Sequence, residues 1–237
     1  MKILITICAR GGSKGIPGKN IKPINRIPLI NYTINTAKIF SDLYESDIAI
    51  STDDYKIYEV CKLNGLFTDY IRPKHLSTDS AGKIDTIYDL LIFYEKLKGI
   101  RYDFILDLDV TSPLRTIDDL TEAFKLLQNN KNALNIFSVN KANKNPYFNM
   151  VEQKEDGYYE LSKKGEFLTR QSAKPVFELN ASFYFYKRIF FENDIEKVIN
   201  NYSLIYEMQH ICFDLDHPID FEFMSYLIEN NKLDFKF

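Results

Sequence analysis

The sequence predicts an α/β fold: a mostly parallel, doubly wound, Rossmann-like sheet with a small β-rich insertion. Three observations predict it. Apolar runs of strand length alternate with segments of helical period over residues 2–139. A glycine-rich basic loop follows the first apolar run, where α/β proteins place their ligands. The alternation breaks over residues 140–175 and then resumes.

The elements follow in order. "KILITIC" (2–8) is an unbroken apolar run and reads as a buried strand. "PLINYTINTAKIF" (28–40) has apolar residues at helical spacing, with Pro28 in its first turn. "DIAIS" (47–51) is a second strand, and 53–64, closed by Gly65, a second helix. A short strand is expected at 67–71 and a third helix at 85–98. "DFILDLDV" (103–110) is a central strand, 117–129 a helix and "ALNIFSV" (133–139) a further strand. Such alternation requires crossovers that place helices on both faces of the sheet. Residues 140–175 are rich in Lys, Asn, Glu and Tyr, with strand-like pieces at "YFNMVE" and "GYYEL". They read as an inserted lid, or as an arm that packs on another subunit. "ASFYFYK" (181–187) and "HICFDLD" (210–216) return as strands, and 219–230 closes the fold as a helix. With 237 residues, the expectation is one domain, 1–237, carrying 140–175 as an insertion.

Composition narrows the function. A chain 45% hydrophobic and 27% charged is neither disordered nor fibrous. A net charge of −3 argues against a nucleic-acid binder, which needs a basic face. No apolar stretch reaches spanning length, and 3–8 is too short for a signal sequence, so no membrane partner is expected. Cys8, Cys61 and Cys212 are far apart, in apolar surroundings, without a CxxC pair or a histidine cluster. Buried reduced thiols in a cytoplasmic protein are expected rather than disulfides or zinc.

"ARGGSKGIPGKN" (9–20) carries the most chemistry. Gly11, Gly12, Gly15 and Gly18 allow backbone N–H groups to approach a ligand, and Arg10, Lys14 and Lys19 crowd three cations together. That crowding is repulsive unless an anion neutralises it, and a triphosphate suits it through charge-assisted hydrogen bonds. Ala9, Ser13 and Asn20 complete the loop. It is not a Walker A loop, because Ser13 stands at the first glycine position and Asn20 follows the lysine. Gly11 to Gly15 matches G-x-S-x-G, but Ile16-Pro17-Gly18 keeps the chain irregular where a nucleophile elbow would enter a helix. A solvated basic turn is the plain alternative.

Asp107 and Asp109, and again Asp214 and Asp216, are acids two residues apart at the end of an apolar run, which on a strand share one face. Paired carboxylates resist joint ionisation unless a cation sits beside them, and hard oxygen ligands next to a phosphate site suit Mg²⁺. Alternatively, one member of a pair caps a helix or pairs with Arg115.

The loop and the helix after it resemble the CMP-sialic acid synthetases, the N-acylneuraminate cytidylyltransferases. The resemblance continues in order through "IAISTDD" (48–54), "RPKHLSTDSAGK" (72–83), "TSPLR" (111–115), "TRQSAKP" (169–175), "LNASFY" (179–184) and "FDLD" (213–216). It implies a homodimeric enzyme that joins CMP from CTP to an acidic nine-carbon sugar. It implies that Arg72, Ser80, Ala81 and Lys83 serve the nucleotide, and that Asp214 and Asp216 hold Mg²⁺. Arg170, Gln171 and Asn180 then fall on the sugar side. Two positions depart from the family: Asp109 stands where Gln commonly touches the sugar, and Glu178 replaces a second arginine. Asp109 thereby becomes a third candidate metal ligand, and the two departures point to a sugar of the legionaminic acid type. For Arg72 a surface salt bridge is the alternative.

The reaction implied is in-line attack by the anomeric hydroxyl on the α-phosphorus of CTP, with Arg10 and Lys19 neutralising the leaving pyrophosphate and Asp216 serving the metal. No clear general base stands out, and no histidine is assigned one. The competing readings are a metal-dependent nucleotide-sugar glycosyltransferase and a non-catalytic nucleotide- or sugar-binding module.

Overall fold

In the computed structural model, which describes residues 1–13, 15–165, 167, 169, 171–193, 195 and 197–236, the first strand is β1 (Ile3–Cys8), buried almost throughout. After the glycine-rich loop come β2 (Pro23–Ile24) and β3 (Ile27–Pro28), a tight hairpin whose turn residues Asn25 and Arg26 have φ of 47° and 65°. Two positive φ values in succession are what a two-residue hairpin turn demands. α1 (Leu29–Leu43) starts one residue after Pro28, which stands at its N-cap. β4 (Ser46–Ser51) leads to α2 (Tyr55–Leu63), whose free N–H groups are capped by Asp54, accepting from Lys56 N–H at 2.7 Å. α3 (Lys83–Lys98), β5 (Phe104–Leu108) and α4 (Ile117–Asn129) follow, the last entered through a Thr116–Asp119 capping box. Then come β6 (Asn135–Lys141), a hairpin of β7 (Val151–Gln153) and β8 (Tyr159–Leu161), the long β9 (Phe177–Lys187), β10 (Ser203–Glu207) and α5 (Pro218–Glu229).

The six-stranded sheet has the order β10-β6-β9-β5-β1-β4. All neighbouring pairs are parallel except those of β9, which runs antiparallel between β5 and β6. Alternation along β1 divides the core. Ile3, Ile5 and Ile7 face Ile34 and Phe40 of α1 and Phe124 of α4, while Leu4 faces Leu90 and Leu91 of α3 on the other side. The mostly parallel α/β fold expected from the sequence is the one observed. Its parallel strands end at one edge, where the loops after β1, β4 and β5 meet.

Two expected strands are absent. Residues 67–71 form no strand: Phe67 and Ile71 are exposed, and buried Tyr70 is fixed by its hydroxyl, which donates to Asp89 at 2.6 Å. Residues 210–216 are also irregular, and the strand lies upstream as β10. The chain leaves the sheet at Met208, whose N–H donates to Val139 O at 2.9 Å. Beyond it, the apolar residues Cys212 and Leu215 are buried against the loops at the sheet edge rather than against a neighbouring strand. Within 140–175 the expected strand pieces form the β7–β8 hairpin, which leaves Val151, Tyr158 and Tyr159 exposed.

β9 carries a bulge opposite β6: register shifts between Phe137 and Val139, and Ala181 adopts φ 59°. An alanine in this left-handed region is strained, and the bulge turns the Ser182 carbonyl toward the loop after β5. Asp109 N–H donates to it at 3.1 Å.

Candidate active site

The loops at the carboxyl edge enclose an open cleft of about 360 Å³. Its lining includes Arg10, Ser13, Lys19, Asn20, Arg72, Ala81, Lys83, Asp109 and Asp216. These nine positions, all singled out in the sequence and drawn from four separate stretches, therefore meet in one place.

The loop after β1 is held from behind. Asn20 is buried and its amide donates to Arg10 O at 2.9 Å, so its side chain organises the loop. Gly11 is required by close approach: its N–H donates to Asp53 at 2.9 Å, and a Cβ there would lie 2.6 Å from Asp54 Oδ2. Ala9 is buried beneath the loop, Gly12 is exposed, and neither these nor Gly11 lines the cleft. Lys14 lies outside the described residues.

Carboxylates answer the crowded cations. Arg10 pairs with Asp79 at 2.7 Å and Lys19 with Asp216 at 3.1 Å. Lys83 lies 2.9 Å from Asp109 and 3.1 Å from Asp107, with its ammonium 4.3 Å from the centre of the Tyr184 ring. Asp107 is buried and also accepts from Thr6 at 2.8 Å. Burial alone would raise the Asp109 carboxyl. The Lys83 charge and hydrogen bonds from Lys83 and Thr111 outweigh it and hold the group at about 2. Both Asp109 oxygens are thereby engaged, Oδ2 by Lys83 and Oδ1 by the Thr111 N–H and hydroxyl, each at 2.9 Å.

Asp214 differs. Its Oδ1 is buried without a hydrogen-bond partner among the described residues, and burial, then the negative charge of Asp109, push its carboxyl up. Among the described residues no group of three or more acids, cysteines or histidines is arranged to hold a metal. Arg115 pairs with none of the four acids through its side chain; it donates instead to the Asp109 carbonyl at 2.8 Å. The helix cap of the alternative reading falls to other acids, Asp54, Asp119 and Asp220.

Arg72 is buried, its N–H donates to Thr52 O at 3.4 Å and its Nε has no partner among the described residues; it is not a surface salt bridge. Ser80 is exposed and contacts Thr78 at 3.2 Å without lining the cleft. Gln171 lines a second cavity of about 440 Å³ with Lys141, Asn145 and Lys174. Glu178 is exposed at the start of β9, and Arg170 lies outside the described residues. Asn180 is buried: its Oδ1 accepts from Ser138 at 2.6 Å and from Ser182 N–H at 3.2 Å, and its Nδ2 donates to Asn140 at 2.8 Å. Sequence reasoning missed Asp79, Thr78, Thr86 and Thr111 in the lining. Asp79 and Thr111 fall inside motifs it had quoted, but a lone acid among Ser and Thr reads as a turn residue.

Cys8, Cys61 and Cys212 are free, and burial raises their thiols to about 12, 12 and 11. No helix of the described residues is long and apolar enough to cross a membrane.

A cytidylyltransferase family model matches residues 4–235. The chain belongs to the cytidylyltransferase family. It is 38% identical over 235 residues to post-translational flagellin modification protein B of Campylobacter coli, covering 99% of this chain and 98% of the relative. It is 36% identical over 232 residues to the CMP-N,N'-diacetyllegionaminic acid synthase of Campylobacter jejuni subsp. jejuni, covering 98% and 97%. Among solved structures, CMP:2-keto-3-deoxy-manno-octonic acid synthetase complexed with CTP superposes with a TM-score of 0.69 at 15% identity, over 98% of this chain and all of that one. That likeness is one of fold. The family match decides for a cytidylyltransferase over a glycosyltransferase.

Proposed function

We propose that the chain is a CMP-nonulosonic acid synthetase, transferring CMP from CTP to the anomeric hydroxyl of an acidic nine-carbon sugar and releasing pyrophosphate. The observation that carries this reading is the pairing of opposite charges in one cleft. Arg10 and Lys19 stand at the glycine-rich loop, each balanced by an aspartate that a polyphosphate would displace. The names of the full-length relatives support the same substrate class.

In this reading Arg10 and Lys19 take the β- and γ-phosphates and stabilise charge on the leaving pyrophosphate, with Ser13 and the loop N–H groups as further donors. Arg72 and the 72–83 loop, including Ser80 and Ala81, read the cytosine. Lys83, already bonded to Asp107 and Asp109, fixes the floor between nucleotide and sugar. Asp214 and Asp216 are the pair that would hold Mg²⁺. The unpartnered Asp214 Oδ1 and the crowding of like charges suit a cation there, whereas both oxygens of Asp109, the third candidate, are engaged. Bound there, the metal would lower the pKa of the sugar hydroxyl and offset phosphate charge. Arg170, Gln171 and Asn180, whose Nδ2 keeps one N–H beyond its bond to Asn140, fall to the sugar. Glu178 accepts from a second acylamino group, so a 5,7-diacylamino sugar is the expected substrate.

The exposed Tyr158, Tyr159 and Val151 of the β7–β8 hairpin support a homodimer in which this arm packs on the partner subunit. Three free thiols suit the reducing cytoplasm. The deciding experiment is pyrophosphate release from each nucleoside triphosphate with a panel of acidic sugars. Release with CTP is expected to be more efficient with a diacylamino nonulosonic acid than with N-acetylneuraminate, and that preference is expected to be lost in Glu178→Arg. Equal efficiency with N-acetylneuraminate overturns the sugar assignment, and sedimentation as a monomer at micromolar concentration overturns the dimer.

A further inference from the structure

The segment that carries Asp214 and Asp216 has no regular secondary structure, so something other than a ladder of backbone bonds must fix it. Its anchors lie on the turn after β5. Leu215 N–H donates to Thr111 O at 2.8 Å, and Ser112 Oγ donates to Phe213 O at 3.3 Å. Leu215 sits between the two acids and is fully buried, so its position sets theirs. The question becomes what fixes the turn.

Arg115 does. Its side chain is buried and makes no ion pair with any described residue. Nη2 donates to Asp109 O at 2.8 Å and to Thr33 Oγ1 at 2.7 Å, and Thr33 in turn donates to Asp109 O at 3.2 Å. Nη1 donates to Ser112 O at 3.1 Å, to Ser182 Oγ at 3.2 Å and to the Ser182 carbonyl. Ser182 Oγ donates to Ser112 O at 2.9 Å, closing the ring of bonds. One planar guanidinium thus ties both ends of the 109–112 turn to α1 and to the bulge of β9. Burying a guanidinium without a carboxylate is costly, and an apolar side chain would serve stability alone better. Lysine carries its charge at a single point and cannot span these acceptors.

We propose that Arg115 is a positioning residue of the transfer reaction, holding the Asp109–Ser112 turn and, through Thr111 and Ser112, the Asp214–Asp216 segment. This rests on the reading of the cleft given above. Arg115 touches no substrate in this scheme. Its removal therefore acts first on the placement of the acids, since Arg115 makes no hydrogen bond to the glycine-rich loop among the described residues.

The test compares Arg115→Lys with the milder Ser182→Ala, each at a temperature where circular dichroism finds it fully folded. Three quantities are read: kcat, KM for CTP, and the affinity of the protein for Mn²⁺ alone by electron paramagnetic resonance. In Arg115→Lys, kcat falls at least 30-fold and the Mn²⁺ dissociation constant rises at least fivefold, while KM for CTP stays within threefold. Ser182→Ala moves kcat and Mn²⁺ affinity in the same direction, three- to tenfold, and decides the matter if Arg115→Lys does not fold. Unchanged Mn²⁺ affinity in the folded variants, or a change confined to KM, overturns the proposal. Wild-type protein that releases no pyrophosphate from CTP with any acidic sugar would refute the reading of the cleft, while the Mn²⁺ measurement would still test Arg115.

Discussion

Lys83 and Asp109 meet 2.9 Å apart on the floor of the cleft although 26 residues separate them in the chain. The same ammonium faces buried Asp107, so one lysine neutralises two acids that would otherwise repel each other inside the fold. Lys83→Met therefore leaves two carboxylates unbalanced, and stability falls on the order of 3 kcal/mol. Urea denaturation measures it. Pairing the change with Asp107→Asn recovers part of the loss, because one charge fewer is stranded.

Lys19 stands 3.1 Å from Asp216 and joins the glycine-rich loop to the 214–216 segment. Lys19→Ala lowers turnover of CTP at least tenfold, about 1.4 kcal/mol of transition-state stabilisation. Steady-state kinetics at saturating sugar checks it, and near-wild-type turnover would remove the lysine from the phosphate site.

His210 and Asp119, the latter in the first turn of α4, form a pH-dependent brace. The imidazole Nε2 lies 2.8 Å from Asp119 and its ring 4.0 Å from that of Phe235, with Tyr206, Glu122 and Asp234 nearby. Burial lowers the His210 pKa, but the bond to Asp119 outweighs it and leaves it raised. Burial raises the Asp119 carboxyl, but the bonds to His210 and Thr116 leave it lowered. A raised histidine stabilises fully below its ordinary value of about 6.5 and loses that contribution as pH climbs through the folded value. A lowered aspartate stabilises above its ordinary value of about 3.9 and loses that contribution as pH falls through the folded one. The pair thus contributes most between about pH 4 and 6.5. Melting curves of wild type and His210→Gln should differ most near pH 5.5 and converge toward pH 8.5.

Ala181 holds φ 59° at the bulge of β9. Glycine reaches this region without the Cβ clash but is more flexible when unfolded. Ala181→Gly is expected to raise stability by about 0.5 kcal/mol, or one to two degrees in Tm at roughly this chain length. Calorimetry detects that shift, and a fall in Tm would mean that the alanine is unstrained.

Much of the fold was legible because buried parallel strands and amphipathic helices write themselves as period. α4 begins and ends where its pattern does, with a capping box to mark the start. Residues 210–216 misled for a physical reason. Cys212 and Leu215 are buried, as a strand residue would be, but against loops at the sheet edge, and composition cannot separate the two. β10 was passed over because its sequence, "SLIYE", is short and only partly buried at the edge of the sheet. In the site, the cations and acids were legible as residue types. Their pairings were not. That Lys83 would reach Asp107 and Asp109, or Asp79 reach Arg10, depends on how loops after different strands converge.

The antiparallel β9 sets an order of assembly. It fills the gap between β5 and β6, yet it lies at residues 177–187, after both. Until it is synthesised, the half-sheet of β4, β1 and β5 and the single strand β6 each present an unpaired edge, the kind of edge that invites wrong partners. Ser182, the acceptor that Arg115 needs, comes with β9, and the acids of 214–216 come later still. The nascent chain can therefore shape its glycine-rich loop early, but it cannot seat the acids opposite that loop until β9 and the 214–216 segment have both followed.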